Sequence, residues 1–248
     1  MKHSHRFFVN ETLSPGQTTY LDADDSFHAS RVLRLGPGEQ LELAGRDGRV
    51  FSAVVTRVDG FVEARAGEEL GGRRLAGVEL SVVQALPRGK KMDLVVEKLS
   101  EVGVTRLVPV YTEKSVARPR SGTDGKLERW RRIARSSAGQ ARRDRVMMVD
   151  GPCPLVGGLE SVRGTLLALV TEADGRPLGE MVAAGASGAV GLPLSLLVGP
   201  EAGFSESELE RMQSCGAVFV SLGPLVLRTE TAALVACAIV MHRLGAMG

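Results

Sequence analysis

The amino-acid sequence predicts an α/β protein in which a parallel sheet follows a small β-rich domain. From residue 78 onward, short apolar runs alternate with segments of helical periodicity, as a parallel sheet requires. Two of these runs, residues 194–198 and 217–222, end at Gly-Pro pairs and precede helices. Residues 6–66 instead hold short strand-like runs separated by glycine-containing turns. These observations predict two domains of different architecture.

The composition is that of a globular protein. Of 248 residues, 44% are hydrophobic and 24% are charged, and the net charge is +2. A nucleic-acid surface would therefore need local clusters of basic residues. The three cysteines lie far apart and fit no metal or disulfide spacing, which predicts a cytoplasmic protein without a metal site. The start of the chain lacks the apolar core of a signal peptide, and the longest apolar run, residues 232–241, is too short for a bilayer.

Residues 1–70 are predicted to form the β-rich domain, and residues 71–77 a glycine-rich, charged linker. One helix is expected over residues 25–35, with Phe27, Val32 and Leu35 on its buried side. Strands are expected at residues 6–9, 18–21, 41–43, 50–58 and 61–66. Scattered arginines give the domain either a solvated surface or an RNA-binding one: Arg31, Arg34, Arg46, Arg49 and Arg57.

Residues 78–248 are predicted to form the α/β domain. Pro87 can open a helix that Gly103 closes, because apolar residues recur at helical spacing between them. Arg88, Lys90 and Lys91 lie at its start, as a substrate entrance or as a solvated helix end. The other strands are predicted at residues 78–86, 106–111, 146–149, 165–170, 194–198 and 217–222. Residues 151–158 and 185–191 are predicted loops.

Residues 125–141 are the most basic segment and read as a helix. One face is apolar, and Trp130 is expected to pack there in the core. Lysine and arginine cover the other faces and continue through Arg142, Arg143 and Arg145. Such clustering is typical of phosphate contacts, although a solvated helix face has the same composition.

The loops after residues 198 and 222 are the strongest candidate for a ligand site. In the first, Ser205 and Glu208 form a predicted capping box, and the helix should end near Cys215 with Gly216 after it. We expect the two loops side by side at the carboxyl ends of parallel strands, where open α/β sheets bind ligands.

These loops lack the glycine motifs of a phosphate cradle or a dinucleotide fold. They offer main-chain groups and apolar side chains, with Glu201, Arg228 and Glu230 as the nearby charges. That combination suits an adenine-bearing cofactor held by main-chain hydrogen bonds. Two ordinary strand-to-helix turns remain the alternative.

Gly-Pro-Glu-Ala-Gly-Phe at residues 199–204 and Leu-Gly-Pro-Leu-Val-Leu-Arg-Thr-Glu-Thr-Ala at residues 222–232 resemble the RsmE family of 16S ribosomal RNA uracil-N3 methyltransferases, of the SPOUT class. The resemblance implies a C-terminal trefoil knot that holds S-adenosylmethionine, an N-terminal PUA-like barrel, and the small ribosomal subunit as substrate. It also implies a homodimer that shares the closing helix. The nearly apolar composition of residues 230–244 independently favours a partner subunit.

The resemblance and the charge pattern together assign site residues. Cofactor contacts are expected from Thr171, Glu172, Leu197, Val198, Gly199, Pro200, Glu201, Gly203, Leu222, Gly223, Leu225, Val226, Leu227, Thr231 and Ala232. RNA contacts are expected from Arg31, Arg34, Arg88, Lys90, Lys91, Arg118, Gln140, Arg142 and Arg143.

Methyl transfer to uracil N3 requires the loss of a proton and a cation for the resulting negative charge. Arg228 is the expected cation. Glu201 or Glu230 takes the proton, or merely holds a loop amide.

Three residues depart from the family's usual pattern: Ala202 stands for glycine, Leu225 for arginine and Gly139 for glutamate. The missing arginine leaves open an RNA-binding or assembly protein without catalysis. A second alternative is a related SPOUT enzyme that methylates a ribose 2′ oxygen, and the PUA-like start argues against it.

Overall fold

The computed structural model describes residues 5–71, 77–115, 124–171, 175–185 and 193–247. The chain forms two compact units. The first contains Met1–Arg74 and Ala138–Val146, and the second contains Leu75–Ser137 and Met147–Gly248. The sequence did not predict that Ala138–Val146 belongs to the first unit. Most of the predicted linker lies outside the described residues.

The first unit is built on a five-stranded sheet in the order β1-β3-β4-β5-β2. Its strands are β1 Arg6–Phe8, β2 Thr18–Tyr20, β3 Gln40–Ala44, β4 Val50–Asp59 and β5 Phe61–Leu70. β1 pairs parallel with β3, and the other pairs are antiparallel. All five predicted strands are confirmed, and their alternating inward residues, such as Leu41 and Leu43, form the core.

The predicted helix over residues 25–35 is only partly correct. Helix α1 spans Ala23–Phe27, capped by the Asp22 side chain, and a π-helical turn follows at His28–Val32. The wider turn rotates the chain, so that Ala29 is buried, whereas Phe27 and Val32 are 64% and 59% exposed. The prediction that Phe27 and Val32 face the core is therefore wrong.

The returning segment Ala138–Val146 is held within the first unit by β1. The Arg6 guanidinium donates hydrogen bonds to the carbonyls of Arg142 and Arg143, over 2.5 and 3.1 Å. A Cβ at Gly139 would lie 2.5 Å from the Arg6 carbonyl oxygen. This contact explains why glycine stands where the family usually has glutamate.

The second unit contains an all-parallel sheet in the order β11-β13-β10-β12-β6-β7-β8, with β9 also paired to β7. Its strands are β6 Leu80–Ala85, β7 Arg106–Tyr111, β8 Met148–Val149, β9 Cys153–Pro154, β10 Thr165–Leu169, β11 Arg176–Pro177, β12 Leu194–Val198 and β13 Val218–Ser221. The parallel α/β architecture predicted from the sequence is confirmed.

In the described residues of this unit six helices begin: α2 Lys91–Glu101, α3 Asp124–Gln140, α4 Leu155–Glu160, α5 Leu178–Gly185, α6 Glu206–Ser214 and α7 Thr229–Arg243. Trp130 on α3 is 5% exposed, which confirms it as a core residue. The predicted loop at residues 151–158 is wrong, because α4 begins within it. A Cβ at Gly158 would lie 2.5 Å from Val110 Cγ1, so this glycine lets α4 approach the sheet closely.

Helix α7 packs against α2, α5 and β12. Its buried residues include Ala233, Ala236, Cys237 and Val240. Burial also raises the pKa of the Cys237 thiol. None of the helices in the described part of the chain is long and apolar enough to cross a membrane.

Candidate active site

The strands that precede the two glycine-bearing loops, β12 and β13, reach the same height at the carboxyl edge of the sheet. Val198 of β12 and Val220 of β13 are both register partners of Leu169 on β10. The loops thus flank the end of β10, since β10 lies between the two strands that precede them. Thr171, just beyond β10, is exposed, whereas Glu172 lies outside the described residues.

The first loop, residues 199–205, is a tight turn. The Gly203 amide donates to the Pro200 carbonyl over 3.0 Å, and Gly203 has a φ of 67°. Ala202 is not among the residues with positive φ, so alanine is tolerated in place of the family's glycine. A Cβ at Gly199 would lie 2.9 Å from Phe204 Cε2, so glycine is needed for the ring to pack there.

A lysine between two glutamates joins α2 to the first loop and to the start of α7. Lys91 Nζ lies 3.1 Å from Glu201 Oε1 and 3.4 Å from Glu230 Oε2. Glu201 Oε1 also accepts from the Arg88 amide over 3.3 Å. The Glu230 side chain is 11% exposed, compared with 28% for Glu201. The sequence assigned Lys91 to RNA, but the structure places it among the carboxylates of the site.

These contacts keep Lys91 and Glu201 charged. The hydrogen bond to Glu201 raises the pKa of Lys91, with a further contribution from Glu230. Desolvation alone would raise the pKa of Glu201, but its own amide, Lys91 and the Arg88 amide together lower it. A carboxylate stabilised in this way holds the loop better than it accepts a proton.

The second loop, residues 222–228, leaves main-chain and apolar groups open. Gly223 has a φ of 102°, and its amide donates to Ser221 Oγ over 3.1 Å. Leu225 and Val226 are 76% and 81% exposed. Within the described residues, the amides of residues 225–227 have no hydrogen-bond partner. Open amides beside apolar side chains fit a planar heterocycle such as adenine.

Arg228 is the last residue of this loop and directly precedes α7. Its backbone is extended, with φ −65° and ψ 150°, and its carbonyl accepts the first helical hydrogen bond from the Ala232 amide. The side chain is exposed, and no hydrogen bond or ion pair joins it to another described residue. Its guanidinium is therefore available to a ligand. Thr231 is exposed and Ala232 half-buried on the same helical turn.

Sequence reasoning missed two residues beneath the loops, Gln84 and Thr229. Both are buried, and their side chains are hydrogen-bonded to each other over 2.9 Å. A glutamine inside an apolar strand was the available signal, since a buried polar side chain needs partners.

The residues assigned to RNA divide into exposed and buried ones. Arg88 and Lys90 are exposed in the second unit, and Arg31, Arg34, Gln140 and Arg142 in the first. Arg143 differs: it is 7% exposed, and desolvation lowers its pKa to about 10. It is part of the packed first unit and presents little surface to a phosphate. Arg118 lies outside the described residues. The residues that the structure describes contain no group of three or more His, Cys, Asp or Glu that could hold a metal ion.

The RNA methyltransferase domain family matches residues 75–241. This span contains the parallel sheet, both loops and the contacts of Lys91 with Glu201 and Glu230. The chain belongs to this family. A relative from Mycobacterium bovis, named ribosomal RNA small subunit methyltransferase E, is 36% identical over 250 residues, covering 98% of this chain and 90% of the relative. The Bacillus subtilis protein of the same name is 26% identical over 246 residues, covering 96% of each.

Solved structures of similar proteins cover almost the whole chain. Ribosomal RNA small subunit methyltransferase E from Neisseria gonorrhoeae, bound to S-adenosyl methionine, is 29% identical with a TM-score of 0.84. The match covers 95% of this chain and 96% of that one. A Legionella pneumophila structure in complex with the bound cofactor SAM is 28% identical, with a TM-score of 0.87, and covers 97% of this chain and 98% of that one.

Proposed function

We propose that this protein transfers the methyl group of S-adenosylmethionine to N3 of a uridine in the 16S ribosomal RNA of the small ribosomal subunit. One observation carries the proposal. Three features lie at the carboxyl edge of a parallel sheet inside the matched family region. They are a loop with open main-chain amides, the contacts of Lys91 with Glu201 and Glu230, and Arg228, whose side chain has no partner among the described residues. The names of the relatives and the cofactor in two similar structures support the choice of substrate and methyl donor.

The cofactor is proposed to lie between the two loops. The open amides of residues 225–227 would bind the adenine, with Leu222, Leu225 and Leu227 as apolar contacts. Gly199 and Gly223 would let the backbone approach closely. The bound cofactor supplies a methyl group on a sulfonium, which is transferred in line to the uracil nitrogen.

The proton on uracil N3 must leave, and the negative charge then spreads onto the flanking carbonyl oxygens. We assign the stabilisation of that charge to Arg228, whose guanidinium has no partner in the described chain. We assign proton acceptance to Glu230 and not to Glu201. Glu230 Oε2 is buried and contacts the Lys91 ammonium at 3.4 Å, whereas Glu201 Oε1 is held more closely, by Lys91 at 3.1 Å and by the Arg88 amide.

Ribosomal RNA is proposed to contact the exposed basic residues. Changing both Arg31 and Arg34 to Gln should weaken RNA binding, since each phosphate contact releases counterions. The slope of log affinity against log salt concentration should become shallower by about two. Arg49 and Arg57 make a matched control, because each is ion-paired within the same unit, to Glu69 and Asp59. If the control pair weakens binding equally, general charge and not a defined surface attracts the RNA.

We further infer a PUA-like barrel in the first unit, a trefoil knot in the second and a homodimer. The knot is supported by α7, which follows β13 at one side of the sheet and returns to pack on α2 and β12. A crystallographic trace in which residues 193–247 pass through no loop would contradict the knot.

The function is tested by incubating the protein with methyl-labelled S-adenosylmethionine and either free 16S RNA or small subunits. Mass spectrometry of the digested nucleosides should find 3-methyluridine. A ribose-methylated uridine would instead indicate a 2′-O-methyltransferase. RNA binding without any methylated product would indicate an assembly protein.

A further inference from the structure

A chain of hydrogen bonds connects β6 to the start of α7 and to the first loop of the candidate site. Gln84 Nε2 donates to Thr229 Oγ1 and to the Ala85 carbonyl, each over 2.9 Å. Thr229 Oγ1 in turn donates to the Gly199 carbonyl over 2.6 Å. The hydroxyl thus accepts one hydrogen bond and donates another, and its orientation is fixed. We call Gln84, Thr229 and the Gly199 carbonyl the buried hydrogen-bond chain.

Gln84 is unfavourable for the stability of the sheet. Its relative exposure is 0%, and its register partners are Val198 on β12 and Pro109 on β7. Gln84 Oε1 is buried without a hydrogen-bond partner among the described residues. Leaving such an acceptor unsatisfied costs on the order of 1–3 kcal/mol. An apolar side chain of similar length would avoid that cost, so a contribution to folding does not explain this glutamine.

The position of the buried hydrogen-bond chain indicates its role. Gly199 directly follows β12 and begins the first loop, and Thr229 begins α7 immediately after the second loop. The Gly199 carbonyl belongs to the same peptide plane as Pro200. Its direction therefore influences where the next residue, Glu201, meets Lys91. One hydroxyl thus links the starting points of two segments that the proposed cofactor must contact together.

We propose that Gln84 and Thr229 are positioning residues that hold residues 199–205 and the start of α7 at the separation required to bind S-adenosylmethionine. This inference rests on the proposed function, since it gives the pair a role in the same pocket. Neither side chain titrates near neutral pH, so the effect on affinity should be independent of pH between about pH 6 and about pH 9. Preorganisation of this kind improves binding because less ordering remains to be done when the ligand arrives.

The test uses three variants and isothermal titration with S-adenosylmethionine. Gln84→Met keeps the length without hydrogen bonds, and Thr229→Val keeps the shape without the hydroxyl. Each should weaken cofactor binding about tenfold, which corresponds to about 1.4 kcal/mol. The double variant should lose little more than either single one, because the two residues act as one unit. Thr229→Ser retains the hydroxyl and should retain most of the affinity.

Thermal unfolding separates positioning from structural support. Gln84→Met should unfold at or above the wild-type temperature while binding less cofactor. Ser195→Ala is the matched control: Ser195 is a buried hydroxyl on β12 that donates to the Arg163 carbonyl over 3.3 Å, near the opposite end of the strand. Its affinity should equal that of the wild type.

Wild-type affinity in Gln84→Met and Thr229→Val, or a loss that only follows a lower unfolding temperature, would overturn the inference. Failure of the wild type itself to bind would refute the proposed cofactor instead. Hydrogen exchange without cofactor then still decides the positioning role. Two hydrogen-bonded amides report on these segments: the Gly203 amide, bonded to the Pro200 carbonyl, and the Ala232 amide, bonded to the Arg228 carbonyl. Both should exchange faster in Gln84→Met than in the wild type and in Ser195→Ala. Equal exchange would reject the role.

Discussion

Arg228 offers the most specific prediction at the scale of single residues. If its guanidinium stabilises charge only as the methyl group moves, Arg228→Ala should lower turnover on the order of a hundredfold or more and leave cofactor affinity nearly unchanged. Arg228→Lys should recover only part, because an ammonium cannot reproduce the planar fork of donors. Single-turnover methylation and isothermal titration measure the two quantities. A proportional loss of cofactor binding would make Arg228 a loop-holding residue.

The lowered pKa of Glu201 predicts how the free energy of unfolding depends on pH. The pKa of Glu201 in the folded protein is lowered from the ordinary value of 4.5, so folding favours the ionised form. Its contribution is then fully present above about pH 4.5 and is lost as the pH falls through the folded-state pKa. Urea unfolding should show wild type more stable than Glu201→Gln at about pH 7, and the difference should shrink towards about pH 3.

Glu210 provides the control for that comparison. It is exposed on α6, and its carboxylate forms no ion pair with a described residue. Glu210→Gln should therefore show no comparable pH-dependent difference. A constant difference for Glu201→Gln across the same range would mean that the lysine–glutamate contact does not stabilise the folded state.

At the scale of structural elements, the turn after β12 depends on a glycine that accommodates a ring. Because a Cβ at Gly199 would meet Phe204 at 2.9 Å, Gly199→Ala should destabilise the protein by about 1–3 kcal/mol through overpacking. Adding Phe204→Ala should cost less in the Gly199→Ala background than in wild type, because removal of the ring also relieves the clash. Chemical denaturation measures both. Ala202→Gly, an exposed position in the same turn, should change stability by less than about 1 kcal/mol.

Sequence patterns predicted most elements because their signals are local. The capping box at Ser205 and Glu208 and the left-handed Gly216 fixed the limits of α6, and all of these features are present. The failures involved contacts that a local pattern does not contain. Gly158 suggested a loop, but it serves close packing of α4 on Val110. The sequence pattern likewise did not reveal the π-helical turn after Phe27, where Ala29 is buried and Val32 is exposed.

The candidate site was predictable to a similar extent. The two loops and Arg228 were found from glycine, proline and charge patterns, and the resemblance supplied their ligand. The pairing of Lys91 with Glu201 and Glu230 joins residues more than a hundred positions apart, so spacing could not reveal it. The polar residue Gln84 was visible in the sequence, but its partner Thr229 required the fold.

At the scale of the whole molecule, the chain visits its first unit twice. Ala138–Val146 returns to it from within the family-matched region 75–241. A sequence-based boundary assumes that each domain is one continuous stretch, and therefore placed this segment in the second domain. Arg143 was assigned to an RNA-binding surface from the clustered basic residues and the resemblance, although it is packed inside the first unit.

The last prediction is a homodimer formed through α7. Leu234, Val235 and Ala238 remain only half-buried on this nearly apolar helix, and Leu225 and Val226 just before it are 76% and 81% exposed. Apolar surface of this kind suits an obligate interface, which typically buries about 2,000 Å² or more in total. Sedimentation equilibrium at micromolar concentration should give twice the mass of one chain.

Val235→Glu should dissociate the dimer, because an unpaired carboxylate would be buried at its centre. Val235 is preferable to Ile239, which lies 3.9 Å from the Cβ position of Gly179 and so faces α5 of its own chain. Val58→Glu places the same substitution at a residue 38% exposed on β4 and should leave the dimer intact. A wild-type protein that sediments as a monomer would rule out this assembly. The exposed apolar residues of the second loop would then need a ligand or RNA to cover them.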